Sequence, residues 1–164
     1  MTNLLKNNII GTGMIACEVN RSWHDTSKFL IFASGVSDSL CISEEEFNRE
    51  KTLLLGEIKK MNENHTIIYF SSCSIYDTAI KNHSPYVSHK LEMESIVKKC
   101  KKYQIFRLPQ VVGGNRTGKT LVSHFYQCLI NGKEIVIQSN ARRNLIDVSD
   151  VVKIALYVVT NKTA

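Results

Sequence analysis

Short apolar runs alternate along this chain with stretches that have the spacing of amphipathic helices, and this alternation constrains the fold most. The run from Phe29 to Ala33 has no polar residue and ends at Ser34-Gly35, which predicts a strand buried on both faces. A second strand is predicted from Thr66 to Phe70. Between the two, Ser43 opens a capping box, and apolar residues at helical spacing over 47–61 predict a helix. Such a pattern is typical of an α/β fold with a mainly parallel sheet and helices on both faces.

The pattern extends to both ends of the chain. Ile9-Ile10 predicts a first strand, and Ser84-Pro85, a cap followed by a first-turn proline, predicts a helix start. The other expected elements are a helix at 14–23, strands at 104–112 and 134–138, and helices at 121–130 and 148–159. With 164 residues the chain has the size of one domain, so we expect a single domain over 1–164.

Composition excludes several classes of protein. No apolar run approaches the roughly 18 residues of a membrane span, and the N-terminal apolar run is too short for a signal peptide, so we expect a cytoplasmic protein without a membrane partner. The five cysteines form no CxxC pair and the five histidines have no ligand spacing, which predicts neither a disulfide framework nor a metal site. The net charge of +6 favours an anionic partner. Nucleic acid is disfavoured, since the aromatic residues do not interleave with a basic stripe.

A glycine turn follows the first predicted strand. Gly11-Thr12-Gly13-Met14-Ile15-Ala16 fits the pattern G-x-G-x-x-G/A between a strand and a helix. Its glycines permit a tight turn and let the N–H groups of Gly13, Met14 and Ile15 approach a pyrophosphate. A tight structural turn without a ligand is the alternative explanation.

A second group of residues has the chemistry for carbonyl–alcohol redox reactions. Ser72 ends a predicted strand, and Tyr86 and Lys90 are four residues apart on the next helix, so the ammonium can lie near the phenol. A nearby cation favours the phenolate and makes the tyrosine a usable base. A solvated helix face is the alternative for this spacing, and we expect His89 to lie on that helix surface.

Taken in order, these motifs resemble the extended short-chain dehydrogenases/reductases, the group that includes the NAD-dependent epimerases and dehydratases. The resemblance rests on Gly11-x-Gly13-x-x-Ala16, the strand ends at Ala33-Ser34-Gly35 and Ser71-Ser72, and Tyr86-x-x-x-Lys90. It continues through the segment at 107–113 and the segment at 143–151. Asn48 and Thr52 also match the family's helix that precedes the strand ending at Ser72. It implies a reduced Rossmann-type fold and a rudimentary substrate-binding part around 113–147.

The resemblance also implies a role for each matching residue. Ser72, Tyr86 and Lys90 take the catalytic positions, with Lys90 also gripping the nicotinamide ribose. NAD or NADP is the implied cofactor and a nucleotide sugar the implied substrate, contacted by Arg143. The residues implied at the cofactor are Gly11, Thr12, Gly13, Met14, Ile15, Ala33, Ser34, Gly35 and Lys90.

The sequence departs from that family in the cofactor half. About a dozen residues separate Ala16 from Phe29, where relatives have a further strand ending in an acidic residue that holds the adenosine ribose. Position 31 is isoleucine, Asp25 lies too early, and Asp38 follows a different strand. The chain also ends soon after Asp150, where longer relatives continue over the sugar, so we expect a shallow site, completed by a second subunit of a homodimer.

Two other functions remain open. Residues 113–120, from Gly113 to Lys119-Thr120, fit the P-loop pattern G-x-x-x-x-G-K-[ST], which predicts a nucleotide-binding loop. Against this, no later strand ends in a suitable aspartate. A non-catalytic binding or assembly protein on a degenerate Rossmann fold is the other alternative.

Overall fold

The structure is a computed structural model that describes residues 7–76, 84–113, 121–137, 139–140 and 142–161. Its elements are β1 (Ile9–Ile10), α1 (Met14–Ser22), β2 (Phe29–Phe32), α2 (Glu44–Lys60), β3 (Thr66–Ser72), a short 3-10 helix (Cys73–Tyr76), α3 (Pro85–Val97), β4 (Tyr103–Leu108), β5 (Gln110–Val112), α4 (Leu121–Ile130), β6 (Leu145–Asp147) and α5 (Val148–Asn161). Strands and helices therefore alternate as the apolar pattern predicts. No helix among the described residues is long and apolar enough to cross a membrane.

The main sheet contains four parallel strands in the order β1-β2-β3-β4. In its register Ile10 lies beside Phe32, and Phe32 lies beside Tyr69. β5 and β6 form a separate parallel pair. Because all the strands of the main sheet point the same way, the loops that follow β1, β2 and β3 meet at one edge. This confirms the predicted mainly parallel sheet and places the candidate site at its carboxyl edge.

Helices cover both faces of the sheet. Neighbouring strand residues point to opposite sides, and apolar residues on each side pack against helices. Ile31 and Ile68 pack with Trp23 in a cluster formed with α1 and α5. Phe32 and Tyr69 pack on the other face, against α2 and α3. The buried members of the first cluster are Ile9, Ala16, Val19, Trp23, Ile31, Ile68, Phe70, Val151, Val152, Ala155 and Val159. Those of the second are Leu30, Phe32, Leu54, Ile67, Tyr69, Met93 and Val97. A sheet with helices on both faces agrees with the predicted Rossmann-type class.

The first strand–helix–strand connection has the opposite hand to the next two. Each step from β1 to β4 moves to the adjacent strand in the same direction, yet α1 lies on one face while α2 and α3 lie on the other. Parallel crossovers are right-handed in about 98% of cases, so a sheet that contains both hands is unusual. The chain reaches β2 directly from α1 through residues 23–28, with no strand between them.

Two strand predictions were wrong in detail. The predicted strand 104–112 is divided at Pro109, which lacks an N–H to donate, and its halves belong to different sheets. The described part of the strand predicted at 134–138 forms no strand, and Val136 is 89% exposed. β6 occupies the place beside β5 instead. An apolar run forms a strand only where a neighbour supplies backbone partners.

Candidate functional site

Gly11 fixes the turn between β1 and α1. Its φ is +125°, and a Cβ at this position would lie 2.4 Å from the carbonyl oxygen of Ala33. The Ala33 N–H in turn donates to the carbonyl of Ile10 at 2.8 Å. Only glycine combines this backbone angle with so close an approach, so Gly11 and Ala33 lie in contact at the carboxyl edge of the sheet.

Gly13 forms an open N-terminus for α1. It is the N-cap residue, with φ −76°, and no side chain caps the helix start. Nothing lies within 4 Å of the position that a Cβ at Gly13 would occupy. Thr12 is exposed, and Met14 and Ile15 are half-buried. Helix N–H groups that no side chain caps can bind an anion, so this turn has the geometry of a phosphate site.

The N-terminus of α3 positions Tyr86. The Ser84 hydroxyl oxygen accepts a hydrogen bond from the Val87 N–H at 3.3 Å, and Pro85 occupies the first turn. Tyr86 is therefore held at the second position of the helix. It is 5% exposed and packs against Val36 and Val87.

Ser72 and Tyr86 come together at the end of β3. The Ser72 hydroxyl oxygen accepts the N–H of Ser74 at 3.1 Å. Burial raises the pKa of the Tyr86 phenol above its usual value, and a hydrogen bond with Ser72 acts in the opposite direction. The charges of Glu50 and Asp38 raise the Tyr86 pKa further.

Lys90 is fully buried and bound to a carboxylate. Its Nζ donates to Glu50 Oε1 at 3.0 Å and to Glu50 Oε2 at 3.1 Å, and it lies 3.3 Å from the Tyr69 hydroxyl. The same ammonium lies 5.6 Å from the ring centroid of Tyr86. Burial lowers the pKa of Lys90, and Glu50 opposes that shift.

Glu50 is the centre of this network and is 0% exposed. It accepts hydrogen bonds from the Val36 N–H at 2.6 Å, the Tyr69 hydroxyl at 2.7 Å and Nε2 of His89 at 3.0 Å, besides the two from Lys90. Burial alone would raise the pKa of the Glu50 carboxyl, but these donors lower it to about 2. Glu50 is therefore a carboxylate in the folded protein.

Two expectations for this helix were wrong. His89 is not on the surface: it is 5% exposed and stacks on Phe47 with ring centroids 4.5 Å apart. The pKa of Tyr86 is raised, where the spacing of Tyr86 and Lys90 predicted a lowered value. The reason is that Tyr86 is buried and that the charge of Lys90 is paired with Glu50.

Ser34 and Gly35 line the same edge after β2. The Arg49 guanidinium donates to both the carbonyl and the hydroxyl oxygen of Ser34 at 3.4 Å. A Cβ on Gly35 would lie 2.8 Å from Lys90 Nζ and 3.1 Å from Glu50 Oε1. Glycine at 35 is thus what leaves room for the buried ion pair.

A second buried carboxylate lies one turn further along α3. Glu94 is 1% exposed and receives two hydrogen bonds from Arg107, at 2.8 and 2.7 Å. Lys98 is 3.4 Å away. The Arg107 guanidinium also lies over the ring of Tyr76, 4.8 Å from its centroid. This pair ties α3 to β4, which keeps α3 in place at the edge of the site.

The remaining predicted residues lie elsewhere. Arg143 is exposed on the segment that leads to β6. Gly113 follows β5 with φ +101°, and a Cβ there would lie 2.5 Å from Asp147 Oδ2. Asp147 is the last residue of β6, so a strand that ends in an aspartate does follow the P-loop pattern, contrary to expectation. Positions 114–120 of the P-loop pattern, including Lys119 and Thr120, lie outside the described residues. Across the described part of the chain, no three His, Cys, Asp or Glu side chains are grouped to hold a metal ion.

Sequence reasoning missed Glu50, and a signal for it exists. Phe47, Glu50 and Leu54 are three and four residues apart, so they share one face of α2. Leu54 is 0% exposed. A carboxylate within an apolar stripe needs a buried cation or several donors, and that requirement points to a polar network.

The match to a family model agrees with this architecture. The model of the NAD dependent epimerase/dehydratase family matches residues 41–164, which include Glu50, Tyr86 and Lys90. The chain belongs to the NAD dependent epimerase/dehydratase family. No protein with a curated description matches the chain.

Two solved structures resemble this member of the family in fold. One is the capsular polysaccharide assembling protein CapF from Staphylococcus aureus, with a TM-score of 0.59 and 17% identity over 82% of this chain. The other is the Bordetella bronchiseptica enzyme WbmH in complex with NAD+, with a TM-score of 0.60 and 20% identity over 80% of this chain. This chain spans 37% of the length of CapF and 48% of the length of WbmH.

Proposed function

We propose that the protein carries out NAD(P)-linked chemistry on a nucleoside-diphosphate sugar, as an epimerase, dehydratase or 4-keto reductase. Membership of the NAD dependent epimerase/dehydratase family supports this class of reaction. The observation that carries the proposal is the Lys90 ammonium, which lies 5.6 Å from the ring centroid of Tyr86 at the carboxyl edge, with Ser72 at the end of β3 lowering the pKa of the same phenol.

Each of these side chains has a role in the proposed reaction. The Ser72 hydroxyl holds the sugar oxygen, and the Tyr86 phenolate accepts the proton of the sugar hydroxyl. Lys90 contributes the ammonium beneath the tyrosine ring. This ammonium is buried on Glu50 and Tyr69, so binding of the nicotinamide ribose would require it to leave those partners. A bound NAD(P) would supply hydride transfer to and from the sugar carbon.

The residues present fit one part of a dinucleotide better than another. The open start of α1 at Gly13 suits the pyrophosphate, and the exposed guanidinium of Arg49 beside Ser34 adds positive charge. For the adenosine ribose, the expected acidic residue is replaced by Ile31, which is 0% exposed. Asp38 holds the Leu40 N–H in its own turn at 2.9 Å. We therefore expect weak binding of NAD(P).

The proposal extends to the substrate and to the oligomeric state. Arg143 is proposed to contact the nucleotide part of the substrate, with residues 113–147 as the rudimentary substrate-binding part. A homodimer in the cytoplasm is also proposed. Leu129 and Ile130 on α4 are 70% and 58% exposed, and exposed apolar side chains of this kind support a subunit interface at α4. Size-exclusion chromatography with light scattering tests the dimer.

Calorimetric titration with NAD+, NADH, NADP+ and NADPH tests the cofactor. Gly13→Trp should abolish binding without unfolding, because the space beside Gly13 is open and its φ of −76° suits any residue. Gly56→Trp is the matched control, since a Cβ at Gly56 also meets nothing within 4 Å. No heat with any of the four dinucleotides, or equal binding by Gly13→Trp, refutes the proposed cofactor site.

An activity screen with nucleoside-diphosphate sugars follows for any dinucleotide that binds. Tyr86→Phe should keep the binding and lose at least about a hundredfold in rate, since it removes the proton acceptor. Equal rates for Tyr86→Phe and the unmodified protein would exclude Tyr86 as the base.

A non-catalytic binding or assembly role is the second candidate. The pairing of Lys90 with Glu50 favours it, because a neutralised ammonium gives the buried Tyr86 phenol less help in ionising. Absence of dinucleotide binding would favour this candidate. Binding of ATP alone, lost in Lys119→Ala, would instead favour the P-loop function.

A further inference from the structure

The proposed reaction does not use Glu50, yet Glu50 makes most of the contacts that hold Lys90 in place. Lys90 Nζ has both oxygens of Glu50 within 3.1 Å, whereas the Tyr86 ring centroid is 5.6 Å away. Glu50 has no solvent exposure and Lys90 has 2%. Burying an ammonium costs free energy, and a partner of opposite charge offsets part of that cost.

The position of Glu50 is fixed from three elements. Val36 lies in the loop after β2, Tyr69 belongs to β3, and His89 belongs to α3, and each donates a hydrogen bond of 3.0 Å or less. A carboxylate held by several donors has little freedom to move. It therefore sets where the ammonium can lie.

We propose that Glu50 is a positioning residue of the site, which holds the Lys90 ammonium beneath Tyr86 and balances its charge. That this positioning serves catalysis rests on the proposed function. The effect of Glu50 on the titration of Tyr86 does not depend on that function. With Glu50 in place, Tyr86 experiences an ion pair. Without it, Tyr86 experiences an unbalanced cation.

The charged and titratable groups around this pair come from every element packed on it. They are Arg49 on α2 beside Ser34, Asp38 in the loop after β2, Tyr69 on β3, and Tyr86, His89 and Glu94 on α3. Among them, Glu50 and Asp38 raise the pKa of Tyr86. Removing the charge of Glu50 therefore shifts the Tyr86 titration toward lower pH.

The test is the titration of Tyr86 in the free protein, which requires neither substrate nor cofactor. NMR of protein with isotope-labelled tyrosine follows each phenol up to about pH 11, and the resonance that vanishes in Tyr86→Phe identifies Tyr86. In Glu50→Gln we expect its pKa to fall by about one unit, a roughly tenfold larger phenolate fraction at a given pH. Glu92→Gln, which removes an exposed carboxylate of α3 paired with Lys51, should leave the Tyr86 pKa unchanged.

A double variant keeps the proposal testable if Glu50→Gln does not fold. Glu50→Gln with Lys90→Met removes both charges together, so that no buried charge is left unpaired. If Glu50 balances Lys90, the Tyr86 pKa in this variant stays within about 0.3 units of the unmodified protein. A rise of one unit or more would show that the Lys90 charge acts on Tyr86 unopposed, and would overturn the inference.

The inference and the proposed function fail in different ways. An unchanged Tyr86 titration in Glu50→Gln refutes the positioning role, even if NAD+ binds and a sugar nucleotide is converted. A shifted titration in a protein that binds no dinucleotide supports the positioning role and refutes the proposed function. Where activity is found, the acidic limb of its pH profile should move to lower pH in Glu50→Gln, together with the Tyr86 pKa.

Discussion

Replacing Gly11 with alanine should destabilise the protein far more than the same change two residues later. The new Cβ would lie 2.4 Å from the Ala33 oxygen and 2.7 Å from its carbonyl carbon, both backbone atoms. These atoms cannot withdraw easily, because the Ala33 N–H is bound to the Ile10 carbonyl at 2.8 Å. The site therefore cannot relax by a side-chain rotation.

The expected size of the effect follows from two contributions. A non-glycine residue at φ +125° costs about 1–3 kcal/mol, and forcing a methyl group into occupied space costs about 1–3 kcal/mol. The lower entropy of the unfolded alanine chain returns less than about 1 kcal/mol. Gly11→Ala should thus lower the free energy of unfolding by about 2–5 kcal/mol and Tm by roughly 5–15 °C.

Urea denaturation followed by circular dichroism measures this difference, with Gly13→Ala as the control. Gly13 has φ −76° and open space around it, so its substitution should cost at most about 1 kcal/mol as a weaker N-cap. If the two variants unfold within about 0.5 kcal/mol of each other, the close contact between Gly11 and Ala33 does not exist, and the reasoning is refuted.

Three further predictions concern the buried carboxylates and the core. The pKa of Glu50 is lowered to about 2 from 4.5, so its contribution to stability is present above about pH 4.5 and is lost as the pH falls toward 2. The free energy of unfolding should fall by about 3 kcal/mol over that window, and by much less in Glu50→Gln. Urea titrations at several pH values measure this difference. Arg107→Ala leaves Glu94 buried without its two-fold partner and should destabilise by about 2–4 kcal/mol in thermal denaturation, whereas a loss below about 0.5 kcal/mol would contradict a structural role for this pair. Leu54→Ala should cost about 2–5 kcal/mol, while Leu55→Ala, at a position 37% exposed, should cost less than about 1 kcal/mol; equal costs would mean that the buried face of α2 is misassigned.

Local features of the sequence were sufficient to predict most of the elements. Ser43 and Ser84 cap α2 and α3 as their sequence patterns predict, because an N-cap depends on residues within one turn. The unbroken apolar runs predicted strands covered on both faces, since such strands have no solvated side. The strand predicted at 134–138 failed because pairing depends on a neighbour that the local sequence does not reveal.

The sequence by itself determined the alternation of strands and helices, the glycine turn at Gly11 and Gly13, and the spacing of Tyr86 and Lys90. Only the tertiary structure decided that α1 lies across the sheet from α2 and α3, and that Lys90 pairs with Glu50, forty residues earlier in the chain. Spacing along a helix fixes which residues share a face, but not what that face meets. The partner of a buried charge is chosen by packing between elements, because desolvation forces the charge to find its counterion wherever the fold brings one within reach.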